Sequence, residues 1–172
     1  MRKQKGFTLV EMLVVIAIIA ILAGAVLLAI NPVATMQKSR DTTRLNDLDA
    51  LRSAISIALT EGEMILTDYD LNTLETTNSS TSGQAVDGTT GWIRFTIPTD
   101  KTGLGRYISA LPLDPTNDAT LTTPLIYSFR SNAENFEINA TLEYGDNAVK
   151  MTTDGGDNDN VYEVGTSLTI IN

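Results

Sequence analysis

The chain is 172 residues long, with 12 basic against 21 acidic side chains, a formal net charge of −9, and neither cysteine nor histidine. Those counts exclude a disulfide framework, a thiolate metal site and a cysteine nucleophile, and they remove the commonest general base and zinc ligand together. The length suits one domain plus an anchor, and the acidic balance repels phosphate backbones, so no bulk nucleic-acid binding is expected.

Basic charge is concentrated at the start, where Arg2, Lys3 and Lys5 precede an apolar run whose only formal charge from Phe7 to Ile30 is Glu11. From Met12 to Ile30 there are nineteen uncharged residues. As a helix they would span roughly 28 Å, close to the hydrocarbon thickness of a bilayer. The preceding cations place the amino terminus on the cytoplasmic side and the rest of the chain outside. The small residues Ala23–Ala25 offer a rival reading, cleavage by general signal peptidase and secretion. Glu11 inside the apolar run speaks against it. Pro32 has no N–H for a helical bond to Leu28 and disfavours helix at Asn31, which predicts a kink there, with Gly24 a second weak point.

After Pro32, Leu45, Leu48, Leu51, Ile55 and Ala58 recur at intervals of three and four, the stripe of an amphipathic helix that Gly62 should end. Arg44, Asp47 and Arg52 fall on its polar face. Residues 63–91 are rich in Thr, Ser, Asn, Asp and Gly and predict a connecting loop. From Trp92 on, the runs WIRFTI, LIYSFR, NFEINATLEY, NAVKMTT and SLTII mix β-branched and aromatic residues between turns, predicting antiparallel strands. Trp92, Phe95, Tyr127, Phe129 and Phe136 read as core. The triplets Asn78-Ser79-Ser80 and Asn139-Ala140-Thr141 fit the glycosylation acceptor pattern, a frequent chance match.

Near the carboxyl end, Asp154, Asp157, Asn158, Asp159 and Asn160 stand beside Gly155–Gly156. Such a run is either a turn or an oxygen-rich loop for a hard cation, with calcium the metal of choice. The expected fold class is therefore α+β: a long amino-terminal helix, membrane-spanning in its lower half and amphipathic in its upper half, packed on a small antiparallel β-sheet domain.

The segment KGFTLVE resembles the processing motif of the type IV pilins and type II secretion pseudopilins, a short basic leader ending in Gly before Phe. That resemblance implies a leader of residues 1–6, cleavage after Gly6 by a prepilin peptidase, methylation of the new amino terminus at Phe7, and an assembly role for Glu11, five positions into the mature chain. It further implies a non-enzymatic subunit, held in the inner membrane, that polymerises with copies of itself through inner-membrane assembly machinery into a pilus or pseudopilus filament. Residues 7–32 would be the membrane and assembly helix, 33–62 the amphipathic helix and 92–172 the β domain. Some pseudopilins resemble the chain in a calcium-binding acidic loop near the carboxyl end. The chain departs from the family in spacing: the Gly and Pro often found at mature positions fourteen and twenty-two fall at eighteen and twenty-six, as Gly24 and Pro32.

Cleavage between Gly6 and Phe7 would also create a cationic amine about one helical turn from the Glu11 carboxylate, and two costly charges in lipid could neutralise each other within or between subunits. Apart from the filament subunit, two other readings stay open: a membrane-tethered extracytoplasmic binding module, and a protein secreted after cleavage near Ala25.

Overall fold

The computed structural model describes residues 6–29, 31–67 and 77–171, so the basic cluster Arg2, Lys3 and Lys5 and much of the expected connecting loop lie outside the described residues. The chain divides into two compact units, residues 1–37 and 38–172.

In the first unit, helix α1 (Leu9–Ala29) is apolar apart from Glu11. Its stretch Leu9–Val26 is long and apolar enough to cross a membrane. Helix α2 (Pro32–Thr60) starts afresh after it. The expected kink at Pro32 is a full interruption with its own cap. Asn31 Oδ1 accepts the Ala34 N–H at 3.3 Å, and the Asn31 carbonyl accepts the Thr35 N–H at 3.2 Å. Proline is well suited to the first helical position, where its missing N–H is no loss.

In the second unit, α2 buries Leu48, Leu51, Ala54, Ile55 and Ala58, as its apolar periodicity predicts. It ends at Gly62, whose φ of +64° permits the closing turn: the Gly62 N–H reaches the Leu59 carbonyl at 3.1 Å and the Glu63 N–H the Ala58 carbonyl at 2.8 Å. Two features correct the expectation for this helix. Leu45 is only half-buried, and Arg44, expected on the wet face, is completely buried.

Four antiparallel strands form a sheet in the order β1 (Thr77–Asn78), β2 (Tyr127–Ser131), β3 (Phe136–Ala140) and β4 (Tyr162–Gly165). The central pairing sets Phe129 opposite Ile138, and the next sets Ile138 opposite Val164. Phe129, Ile138 and Val164 thus share the face that packs with α2, Trp92, Leu104 and Leu111 in one core. All five aromatics expected in the core are buried, Trp92, Tyr127 and Phe136 completely. Each large side chain so buried contributes roughly 1.5–3 kcal/mol relative to exposure. Trp92 donates its indole N–H to the Pro112 carbonyl at 2.9 Å, and Tyr127 donates its hydroxyl to Asp47 Oδ2 at 2.8 Å, so both polar tips are satisfied.

Three strand expectations fail. WIRFTI is irregular, with a single isolated bridge between Ile65 and Thr96 among the described residues in place of a strand ladder. It runs under close backbone approaches: a Cβ on Gly88 would strike the Phe95 carbonyl, and one on Gly91 the Ala85 carbonyl. NAVKMTT is instead a short helix, α3 (Ala148–Thr152), and SLTII carries no strand. Conversely, β1 falls inside the expected loop and β4 follows directly on the acidic run.

Candidate functional site

The segment that carries the sequence motif sits at the start of α1. Gly6, Phe7 and Thr8 precede the helix, and every described residue from Gly6 to Val26 is exposed, Phe7 at 79%. A Cβ built on Gly6 meets nothing within 4 Å, so packing inside the chain does not demand glycine there. Thr8 and Glu11 cap the helix reciprocally. Glu11 Oε2 accepts the Thr8 N–H at 2.8 Å and its hydroxyl at 2.9 Å, while Thr8 Oγ1 accepts the Glu11 N–H at 3.2 Å. This is a capping box, and its signal in sequence is Thr followed three residues later by Glu ahead of an apolar run.

Two consequences follow. Glu11 has a local job in the chain as it stands, satisfying the otherwise orphaned N–H of Thr8 at the edge of an apolar helix. Phe7 lies before the cap, so it does not share a helix face with Glu11, as the four-residue spacing suggested. The Gly6–Phe7 peptide lies in non-helical backbone.

A second constellation was not visible in sequence. The Arg44 guanidinium, 0% exposed, donates to Asp114 through Nε at 2.6 Å and Nη2 at 2.9 Å, and through Nη1 to Asp41 at 2.9 Å and Glu143 at 2.7 Å. Arg40 adds a forked pair to Glu143 at 2.7 and 2.6 Å. The Asp41 and Asp114 side chains are as buried as that of Arg44, and they also accept backbone N–H groups and, for Asp41, the Asn147 amide at 2.8 Å. Asp41 takes the N–H groups of Glu143 and Tyr144, both at 2.9 Å, and Asp114 those of Thr116 at 2.8 Å and Asn117 at 3.1 Å. Burial works against the charge on Arg44, but bonds to Asp114 and Glu143 more than compensate and raise its pKa. The Arg40 bond holds Glu143 below the usual carboxylate range against a smaller burial effect. One helix is thereby tied to the turn after residue 111 and to the segment after β3. The arrangement ties the unit together: two guanidiniums bridge three carboxylates, and the two buried carboxylates take further N–H donors from the same unit.

The acidic run builds a turn. Asp154 accepts the Gly156 N–H through Oδ1 at 3.0 Å and the Glu163 N–H through Oδ2 at 2.9 Å, and Asn158 Oδ1 accepts the Asn160 N–H at 3.1 Å. Asp157 and Asp159 are exposed. Among the described residues no group of three or more acidic side chains is free to hold a metal ion.

Comparison with known proteins points back to the amino terminus. Residues 1–27 match the family model described as the prokaryotic N-terminal methylation motif. The chain carries a prepilin-type amino terminus. It is similar to a fimbrial protein of Pseudomonas aeruginosa, 36% identical over 93 residues, covering 49% of this chain and 58% of the relative. It is also similar to two proteins of Moraxella bovis, fimbrial protein Q and a type IV major alpha-pilin, each 44% identical over 63 residues. These cover 37% of this chain, and 39% and 38% of the relatives. The chain thus spans less than two-thirds of the length of the curated relatives it matches. No solved structure matches it. The α+β architecture, an apolar helix, a second helix and a four-stranded antiparallel sheet, is that expected of a pilin.

Proposed function

We propose that this chain is a structural subunit of a type IV pilus-like filament. It is inserted in the inner membrane with a cytoplasmic amino terminus, cut after Gly6, methylated at Phe7 and polymerised with copies of itself. The observation that carries this reading is the coincidence of the methylation motif over residues 1–27 with an exposed, capped, membrane-length helix beginning at Leu9. Apolar helices in lipid have little hydrophobic reason to associate, so a charge pair supplies both attraction and register. Once Phe7 carries an amine, it competes with Thr8 for Glu11, and the amine of a neighbouring subunit can do the same. Fimbrial and pilin relatives support a non-enzymatic role.

A prepilin peptidase and an inner-membrane assembly machinery are the partners this reading requires. The test is the mass and amino-terminal residue of the protein recovered from membranes. A methylated Phe7 is the expected result. An intact Met1 would overturn the reading in favour of a tethered module, and a Val26 start in favour of a secreted protein.

A further inference from the structure

Glu137 on β3 and Glu163 on β4 are 0% and 2% exposed, which is unusual for carboxylates without a cation. The register sets Asn139 opposite Glu163 and Glu137 opposite Gly165. Glu137, Asn139 and Glu163 therefore share one face of the ribbon, away from the face of Ile138 and Val164 that packs the core. Glu137 and Glu163 are diagonal neighbours on that face, a separation that long side chains span.

One oxygen of each is engaged. Glu137 Oε2 accepts the N–H groups of Ile170 at 2.6 Å and Ile171 at 3.1 Å, and Glu163 Oε2 accepts that of Asn158 at 3.2 Å. The remaining oxygens, Oε1 of Glu137 and Oε1 of Glu163, are buried with no hydrogen-bond partner among the described residues, as is Asn139 Oδ1. The charged neighbours do not resolve this. Asp154, on the turn packed against Glu163, has the same sign. Arg130 on β2 stands across from Glu137 in register, and Lys150 lies on α3 beside β4. Among the described residues neither cation forms an ion pair with either carboxylate.

Two bare carboxylates cannot donate to each other, and buried in contact they repel. One proton solves both problems, because it turns an orphan oxygen into a donor and halves the charge. We propose that Glu137 and Glu163 share a single proton and form an acid-closed latch holding the chain end, Ile170–Ile171, and the turn around Asn158 against the sheet. Gly156 fits this role, since a Cβ there would run into the Glu163 carboxyl group. Burial, then the bond with Glu137, pushes the Glu163 carboxyl up to about 7, with Asp154 adding to the rise. A raised value means the latch is fully closed below the ordinary Glu value of 4.5 and is lost as pH rises through about 7.

The test uses the full chain in detergent micelles with a chelator present. Hydrogen exchange of the peptide covering residues 166–172 is followed from pH 5 to 8.5 and corrected for intrinsic exchange. Protection is expected to fall about tenfold per pH unit as pH rises towards about 7 and to level off above it. In Glu163→Gln it should be pH-independent, since the amide supplies the donor permanently. Should that variant not fold, Glu137→Gln must show the same flat profile. Flat protection in the unsubstituted chain overturns the proposal, as does an unchanged profile in the variant that folds. Restoration of protection at pH 8 by calcium also overturns it, by giving the orphan oxygens to a cation. None of these results depends on whether the amino terminus is cut.

Discussion

Replacing Arg44 by Ala removes five donor contacts at once: two to Asp114, and one each to Asp41, Glu143 and, at 3.4 Å, Thr116. Asp41 and Asp114, whose side chains are fully buried, would then lose the only ion-pair partner they have among the described residues, whereas Glu143 keeps Arg40. Breaking a buried pair from one side costs about 3–5 kcal/mol, because a charge is left without compensation. For a chain of this size that corresponds to a fall in Tm of roughly 6–20 °C. The assay is thermal and urea unfolding of the full chain in micelles followed by Trp92 fluorescence, since this single Trp is completely buried in the core and does not report on the apolar helix. A second variant sharpens it: Arg44→Ala with Asp114→Asn should recover part of the loss, because one stranded charge is gone. A loss below about 1 kcal/mol, or no recovery in the double variant, would refute the view that this cluster binds α2 to the rest of its unit.

Three other outcomes are expected. The depressed Glu143 value adds stability above the ordinary carboxylate value of 4.5 that is lost as pH falls below it, while Glu163 contributes in the opposite sense. Trp92-detected stability should therefore decline on both sides of about pH 5, with the acid limb reduced in Arg40→Ala, and a monotonic profile would contradict this. Gly91→Ala should cost at least about 1–3 kcal/mol in the same unfolding assay, since its Cβ would meet the Ala85 carbonyl and the Leu111 side chain, and an unchanged midpoint would show that the loop yields freely. Glu11→Ala should leave a processed membrane protein whose recovery in filaments drops about fivefold to tenfold, the weight of roughly 1–1.4 kcal/mol of polar contact in lipid. Filaments of normal yield from that variant would remove Glu11 from assembly.

What could be read from the sequence was what local pattern dictates. The stripe from Leu48 to Ala58 and the stop at Gly62 follow from helical period and a positive φ, and both are present. Arg44 was misplaced because composition treats arginine as solvated. Its partners Asp114 and Glu143 lie 70 and 99 residues away, and no local pattern links them. Strand β3 alternates correctly through Phe136, Ile138 and Ala140, yet Glu137 and Asn139 between them are buried as well. Alternation predicts which residues face the core but not whether the other face is covered. NAVKMTT misled for a different reason: its β-branched Val149 and threonines suggested a strand, but tertiary context outweighs such weak propensities in a short segment. At the amino terminus the motif was legible in full, whereas the Thr8–Glu11 cap needed geometry to show that the carboxylate is already occupied.

The burial of Asn139 also fixes when the chain can be chemically decorated. Its side chain belongs to a residue only 4% exposed, inside a strand paired on both edges. A transferase meeting the finished fold has no approach to the Asn139-Ala140-Thr141 triplet. A sugar could be joined there only while the polypeptide is still emerging, and it would then keep β3 from taking its place between β2 and β4. For the mature molecule that triplet is closed to glycosylation, whatever enzymes surround it.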